Sequence, residues 1–132
     1  DSGGADIKIS GAMAGMSRDK SGAAAVAGFV KACSLLKPPH LKVIGVLCLC
    51  RNSIGKDSYV ADELLISKSG KLVRVTNTDA EGRFAMADSL FEMSEIAAKE
   101  LNPHIYTIAT LTGHQRLCYG GYLAAMDNHS AR

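Results

Sequence analysis

The stretch Asn77-Thr78-Asp79-Ala80-Glu81-Gly82-Arg83 constrains this chain more than any other, because a strand-like run gives way to a helix-like run across it. Leu72, Val73, Arg74, Val75 and Thr76 precede it, and a helical pattern begins near Phe84. Asp79 and Glu81 lie one residue apart, so their carboxylates share a side while the backbone is extended. Gly82 permits a tight turn, and Arg83 adds a fixed cation with planar donors. Two acids at a strand end beside an Arg suit a hard or borderline cation and an anionic ligand. Taken alone, such a pair far more often marks a solvated turn that opens a helix, where acids favour the first turn.

The rest of the chain supplies elements to flank this junction. Gly11 to Met16 reads as a loop, and Ser17 or Asp19 can cap a following helix. Gly22 to Leu36, rich in Ala and Val, predicts a largely buried helix that Pro38-Pro39 stops. Leu41 to Cys50 is an apolar run with Val and Ile, which predicts a strand covered on both faces. Arg51 to Asp57 is a polar loop. Glu63 to Ser67 and Leu72 to Thr76 predict a hairpin turning at Ser69-Gly70. From Phe84 to Glu100 a helix carries Met86, Leu90, Met93 and Ala97 on one stripe, which reads as core, and Asn102-Pro103 ends it. His104 to Leu111 predicts another strand, His114 a loop histidine, and Tyr122 to Met126 a last strand. Helices alternating with apolar strands predict an α/β fold with a mixed, largely parallel sheet flanked by helices. Ligands at strand ends match the usual placement of sites in such sheets.

Composition narrows the function classes. A chain of 132 residues fits one domain, and 47% hydrophobic residues read as globular rather than disordered. A net charge of +2 gives no case for nucleic acid or an acidic membrane as a partner. The longest apolar run, Val43 to Cys50, is far short of a bilayer span. Cys33, Cys48, Cys50 and Cys118 form no Cys-x-x-Cys pair, so they read as small buried hydrophobes and reduced thiols of a cytoplasmic protein.

The heptapeptide as a whole resembles the signature of the leucyl aminopeptidase (cytosol aminopeptidase) family of two-metal peptidases. Three further segments are similar to that family in the same order: Asp1-Ser2-Gly3-Gly4 with Lys8, Met16 with Asp19, and Ala109-Thr110-Leu111-Thr112-Gly113. Gly3 to Lys8 and Arg51 to Ile54 are similar to a divergent animal branch of the family. Lys20-Ser21, Arg51, Ser53 and His114 depart from the commoner pattern. The resemblance implies part of a catalytic domain spanning 1–132, without the N-terminal domain and the C-terminal portion. It also places a metal-binding Lys five residues ahead of the position of Asp1.

By that resemblance Asp1, Asp19, Asp79 and Glu81 hold two divalent ions, Zn or Mn with Mg admissible, and Asp1 and Glu81 bridge them. Lys8 stabilises the oxyanion, Arg83 holds a bicarbonate ion, and Met16, Thr110, Leu111 and Gly113 shape the pocket for the first side chain. The implied reaction removes the N-terminal residue of peptide substrates through a metal-activated water. The implied parent is a homohexamer with neither nucleic acid nor membrane as partner, and these 132 residues alone are expected to show little activity. The competing expectation is a truncated or degenerate member that assembles or binds partners without hydrolysis. A two-metal phosphoesterase would use a similar acid cluster, but the matches at 77–83 and 109–113 argue against it.

Overall fold

The computed structural model describes residues 14–128, and Asp1 and Lys8 therefore lie outside the described residues. A 3-10 turn at Met16–Arg18 leads into α1 (Ser21–Leu36), followed by β1 (Leu64–Ile66), β2 (Leu72–Arg74), α2 (Glu81–Ala97) and α3 (His114–Tyr119). The architecture is mixed α/β.

Helix α1 forms where the Ala-rich run predicts it, but neither Ser17 nor Asp19 caps it, and Lys20 occupies the cap position without a side-chain capping bond. Its end is conventional: Lys37 turns left-handed at φ 46° and its N–H reaches Cys33 O ahead of the two prolines. The expected burial is absent, since no α1 residue is buried. Burial needs apolar partners on several sides, and among the described residues α1 meets them on few.

Strands β1 and β2 pair antiparallel with Leu65 opposite Val73. Gly70 turns the hairpin at φ 79°, a conformation that glycine adopts without strain. Backbone bonds extend the pairing past both strands, from Asp62 N–H to Val75 O at 2.7 Å and from Val75 N–H to Glu63 O at 2.9 Å. Arg74 clamps Asp62 Oδ1 through Nε (3.0 Å) and Nη2 (2.7 Å) on the exposed edge. Val75, at 0% exposure, is the buried hydrophobic residue of the described structure. It fixes where the strand ends and the junction begins.

The largely parallel sheet does not form among the described residues, where the sheet has two antiparallel strands. Residues 41–50, 104–111 and 122–126 carry strand-like sequence but enter no ladder. Parallel pairing needs a neighbouring strand from a crossover unit, and these runs find none here. Residues 41–50 nevertheless pass between the two long helices. Gly45 approaches α1 so closely that a Cβ would lie 2.7 Å from Val30 Cγ2, and Cys48 Sγ lies 3.7 Å from Ser89 Oγ of α2. The larger side chains of this run, Leu41, Ile44, Val46, Leu47 and Leu49, are exposed, so it is not covered as expected. Cys50 and Cys118 are exposed too, while Cys33 and Cys48 are half-buried, and none of the four forms a disulfide.

Helix α2 begins three residues before the expected Phe84 and ends at Ala97 rather than near Glu100. On its stripe Met86, Met93 and Ala97 are half-buried and Leu90 is exposed. Lys68 at the hairpin turn donates its N–H to Asp88 Oδ1 at 2.9 Å and its ammonium pairs with Glu92, docking β1–β2 on α2. His114, expected in a loop, opens α3.

Candidate functional site

The site is built at the β2–α2 junction. After Val75 the chain leaves the ladder, and Asn77 Oδ1 accepts the N–H of Asp79 at 2.9 Å, closing a side-chain-supported turn. Ala80 N–H returns to Asn77 O at 3.3 Å. The turn is then pinned from a distant loop, where Asn52 Nδ2 donates to Thr78 O at 3.0 Å. Asn52 and Glu81, each 8% exposed, are the buried polar residues of the described structure. Both serve this one turn. Glu81 is the first residue of α2, where its charge sits favourably against the helix dipole. Asp79 is half-buried, and Gly82 and Arg83 are exposed.

Tyr59 lies beside this cluster. Its ring packs on Phe84 at a centroid distance of 5.4 Å and a tilt of 54°. Its hydroxyl is buried without a hydrogen-bond partner. Burial pushes the phenol pKa above its ordinary value of 10.0, and the negative charges of Glu81 and then Cys50 push it the same way.

A second grouping joins the start of α1 to the segment before α3. Thr110 Oγ1 donates to Asp19 Oδ2 at 2.6 Å across 91 residues of sequence. Ser21 Oγ lies 3.5 Å from Asp19 Oδ1. Backbone packing holds this join: a Cβ on Gly22 would lie 2.2 Å from Ile108 O, so only a glycine lets the segment come this close. Met16 is half-buried nearby in sequence, Leu111 is 58% exposed, and Gly113 precedes α3 with open space at its Cα.

The structure thus brings Asp79 and Glu81 to one turn with Asn52 and Tyr59, and joins Asp19 to Thr110. Among the described residues no three His, Cys, Asp or Glu side chains gather closely enough to hold a metal ion. In chemistry, a set of carboxylates fits a hard or borderline dication. In number, the described carboxylates do not complete a centre, and the bridging position assigned to Asp1 lies outside them. Two shallow clefts, of about 220 and 560 Å³, lie beside α1 and around Gln115 to Leu123, and neither is lined by Asp19, Asp79 or Glu81. No helix among the described residues is long and apolar enough to cross a membrane.

Asn52 and Tyr59 are the residues that sequence reasoning passed over. Asn52 stood inside a matched loop but carried no local signal of burial. Tyr59 lies 22 positions before Glu81 and only the fold joins them.

Comparison with known proteins gives this geometry its context. The chain is 52% identical over 132 residues to the Caenorhabditis elegans protein named "Putative aminopeptidase W07G4.4", covering 100% of this chain and 25% of that protein. It is 43% identical over 114 residues to a "Probable cytosol aminopeptidase" of Legionella pneumophila, covering 86% and 22%. A protein of the same name from Rhodopirellula baltica is 39% identical over 132 residues, covering 99% and 25%. The chain therefore spans about a quarter of the length of the curated relatives it matches. The profile of the cytosol aminopeptidase family, catalytic domain, matches residues 1–132, and with these relatives it shows that the chain belongs to the cytosol aminopeptidase family.

Proposed function

We propose that this chain carries part of the active site of a metal-dependent aminopeptidase that hydrolyses the N-terminal peptide bond of peptides. The observation that carries the reading is Glu81: a buried carboxylate at the start of α2, in the signature turn of a chain that belongs to this family. In this reading Asp1, Asp19, Asp79 and Glu81 would hold two divalent ions, Zn or Mn with Mg admissible. When bound, such ions polarise the scissile carbonyl and lower the pKa of a water.

The remaining work falls to the chain. Asn52 and Asn77 hold the turn so that Asp79 and Glu81 keep one orientation, which spares the site the entropy of ordering them. Lys8 provides a positive charge where the oxyanion develops. Arg83, exposed on the first turn of α2, offers a planar fork that would hold a bicarbonate ion, which would supply a base there. Met16, Thr110, Leu111 and Gly113 form the wall facing the substrate's first side chain. A cytoplasmic homohexamer as the parent assembly belongs to the same proposal.

The test is hydrolysis of aminoacyl p-nitroanilides by the full-length protein with Mn²⁺ or Zn²⁺, comparing wild type with Glu81→Ala. Outer partners of metal ligands are worth about 10–100-fold in affinity or activity, so loss of a bridging ligand is expected to exceed 100-fold even at saturating metal. Near-normal turnover of Glu81→Ala would refute the role given to Glu81. A wild-type protein that binds neither ion would refute the metal reading as a whole.

A further inference from the structure

Asp19 has two uses open to it at the start of α1. It can cap the free amides of the helix, the ordinary role of an acid at this place, or it can turn towards another part of the fold. The structure shows the second. No side chain caps α1, and Asp19 Oδ2 instead accepts the Thr110 hydroxyl at 2.6 Å. That distance is typical of a hydroxyl bonded to a carboxylate, the stronger class of hydrogen bond. A threonine hydroxyl has one proton to give, so this bond commits it. The contact does not depend on side-chain reach alone, because the Gly22 backbone lies directly against Ile108 O and fixes the approach of the two segments.

We infer that Thr110 is a positioning residue for Asp19: its hydroxyl occupies Oδ2, fixes the rotation of the carboxylate and leaves Oδ1 as the oxygen presented to a divalent cation. The inference rests on the metal-binding reading of Asp19 and adds a role for Thr110 beyond lining the pocket. Ser21 is the other hydroxyl near this carboxylate, at 3.5 Å from Oδ1. That is at the outer limit of a hydrogen bond, so Ser21 neither fixes Oδ1 nor blocks it. The arrangement also ties the pocket wall to the metal ligand: a shift of residues 109–111 is felt at Asp19 through one bond.

The experiment measures Mn²⁺ affinity by calorimetric titration of the full-length protein, for wild type, Thr110→Val, Thr110→Ser, Ser21→Ala, Asp19→Asn and the double variant Thr110→Val/Asp19→Asn. Valine keeps the shape of threonine and removes the donor. Circular dichroism and melting temperature verify that each variant folds. Thr110→Val should weaken binding about 10–100-fold, the usual effect of losing an outer partner. Thr110→Ser should restore affinity to within about threefold if the hydroxyl is what matters. Ser21→Ala should leave affinity unchanged, and the double variant should bind no more weakly than Asp19→Asn alone, since Thr110 acts through Asp19. If Thr110→Val folds and binds Mn²⁺ as wild type while Asp19→Asn binds weakly, Thr110 is only pocket wall and the inference is overturned. If Asp19→Asn also binds as wild type, the assignment of Asp19 as a ligand fails, and the inference fails with it. Should Thr110→Val not fold, Thr110→Ser and Thr110→Ala decide the matter: equal weakening in both shows that the methyl group, not the hydroxyl, carries the effect.

Discussion

Glu81, Asn52 and Tyr59 show how much of the candidate site is decided one side chain at a time. Asn52 satisfies a backbone carbonyl of the signature turn, and such a buried polar contact is costly to leave half made. Tyr59 is the opposite case, a buried hydroxyl with no hydrogen-bond partner. Its loss in Tyr59→Phe keeps the ring against Phe84 and removes an unmet polar atom. Stability of the metal-free protein is expected to rise by about 1 kcal/mol, the low end for a buried unsatisfied group, because the residue is only half-buried. The pH dependence follows from the raised phenol pKa. The folded form keeps its proton where the unfolded form loses it, so this stability is complete below pH 10.0 and lost as pH rises through the folded pKa. Urea unfolding with a chelator present, at about pH 8 and about pH 10.5, should show a smaller alkaline loss in Tyr59→Phe than in wild type. An equal loss in both would show that Tyr59 does not contribute. The acids at 79 and 81 were legible from their spacing and resemblance, whereas the environment of Tyr59 was not, because it lies 22 positions before Glu81.

At the scale of elements, α1 carries a contrast between two glycines that sequence alone treats alike. Replacing a helical Gly by Ala ordinarily gains about 0.5–1 kcal/mol through lower unfolded-state entropy and better propensity. At Gly28 a Cβ meets nothing within 4 Å, so Gly28→Ala should show that gain. At Gly22 the Cβ would fall 2.2 Å from a backbone oxygen, which cannot rotate aside. Overpacking of this kind costs about 1–3 kcal/mol, more than propensity returns, so Gly22→Ala should be destabilising. It should also loosen the Asp19–Thr110 contact. Thermal unfolding of the two variants measures the difference directly, and equal shifts of one sign would show that residues 108–109 do not pack on α1 as described. The hairpin and the two long helices were read from turn residues and periodicity, which are local properties. The runs at 41–50 and 104–111 misled for the same reason: their composition suits a strand, but a strand exists only when another backbone pairs with it.

For the whole molecule, the decisive quantity is how little apolar surface is covered among the described residues. Val75 is fully buried, while Leu123, Leu101 and Met126 are 100%, 98% and 90% exposed. The chain spans about a quarter of its curated relatives, in which further residues are available to cover such surfaces. Residues 1–132 alone are therefore expected to unfold over a broad range, with an enthalpy well below the roughly 90 kcal/mol that about 0.7 kcal/mol per residue gives, and to bind a hydrophobic dye. Differential scanning calorimetry tests this, and a sharp transition with the full enthalpy would refute it. The sequence by itself determined the family, the two long helices, the hairpin and the acidic signature turn, because motif, helical period and turn chemistry are written in neighbouring residues. Tertiary structure alone decided that Asn52 anchors the turn, that Tyr59 packs on Phe84 within the field of Glu81, and that Asp19 takes the Thr110 hydroxyl instead of capping α1. Those outcomes depend on which distant segments meet, as the Gly22 backbone against Ile108 shows for Asp19 and Thr110, and not on local propensity.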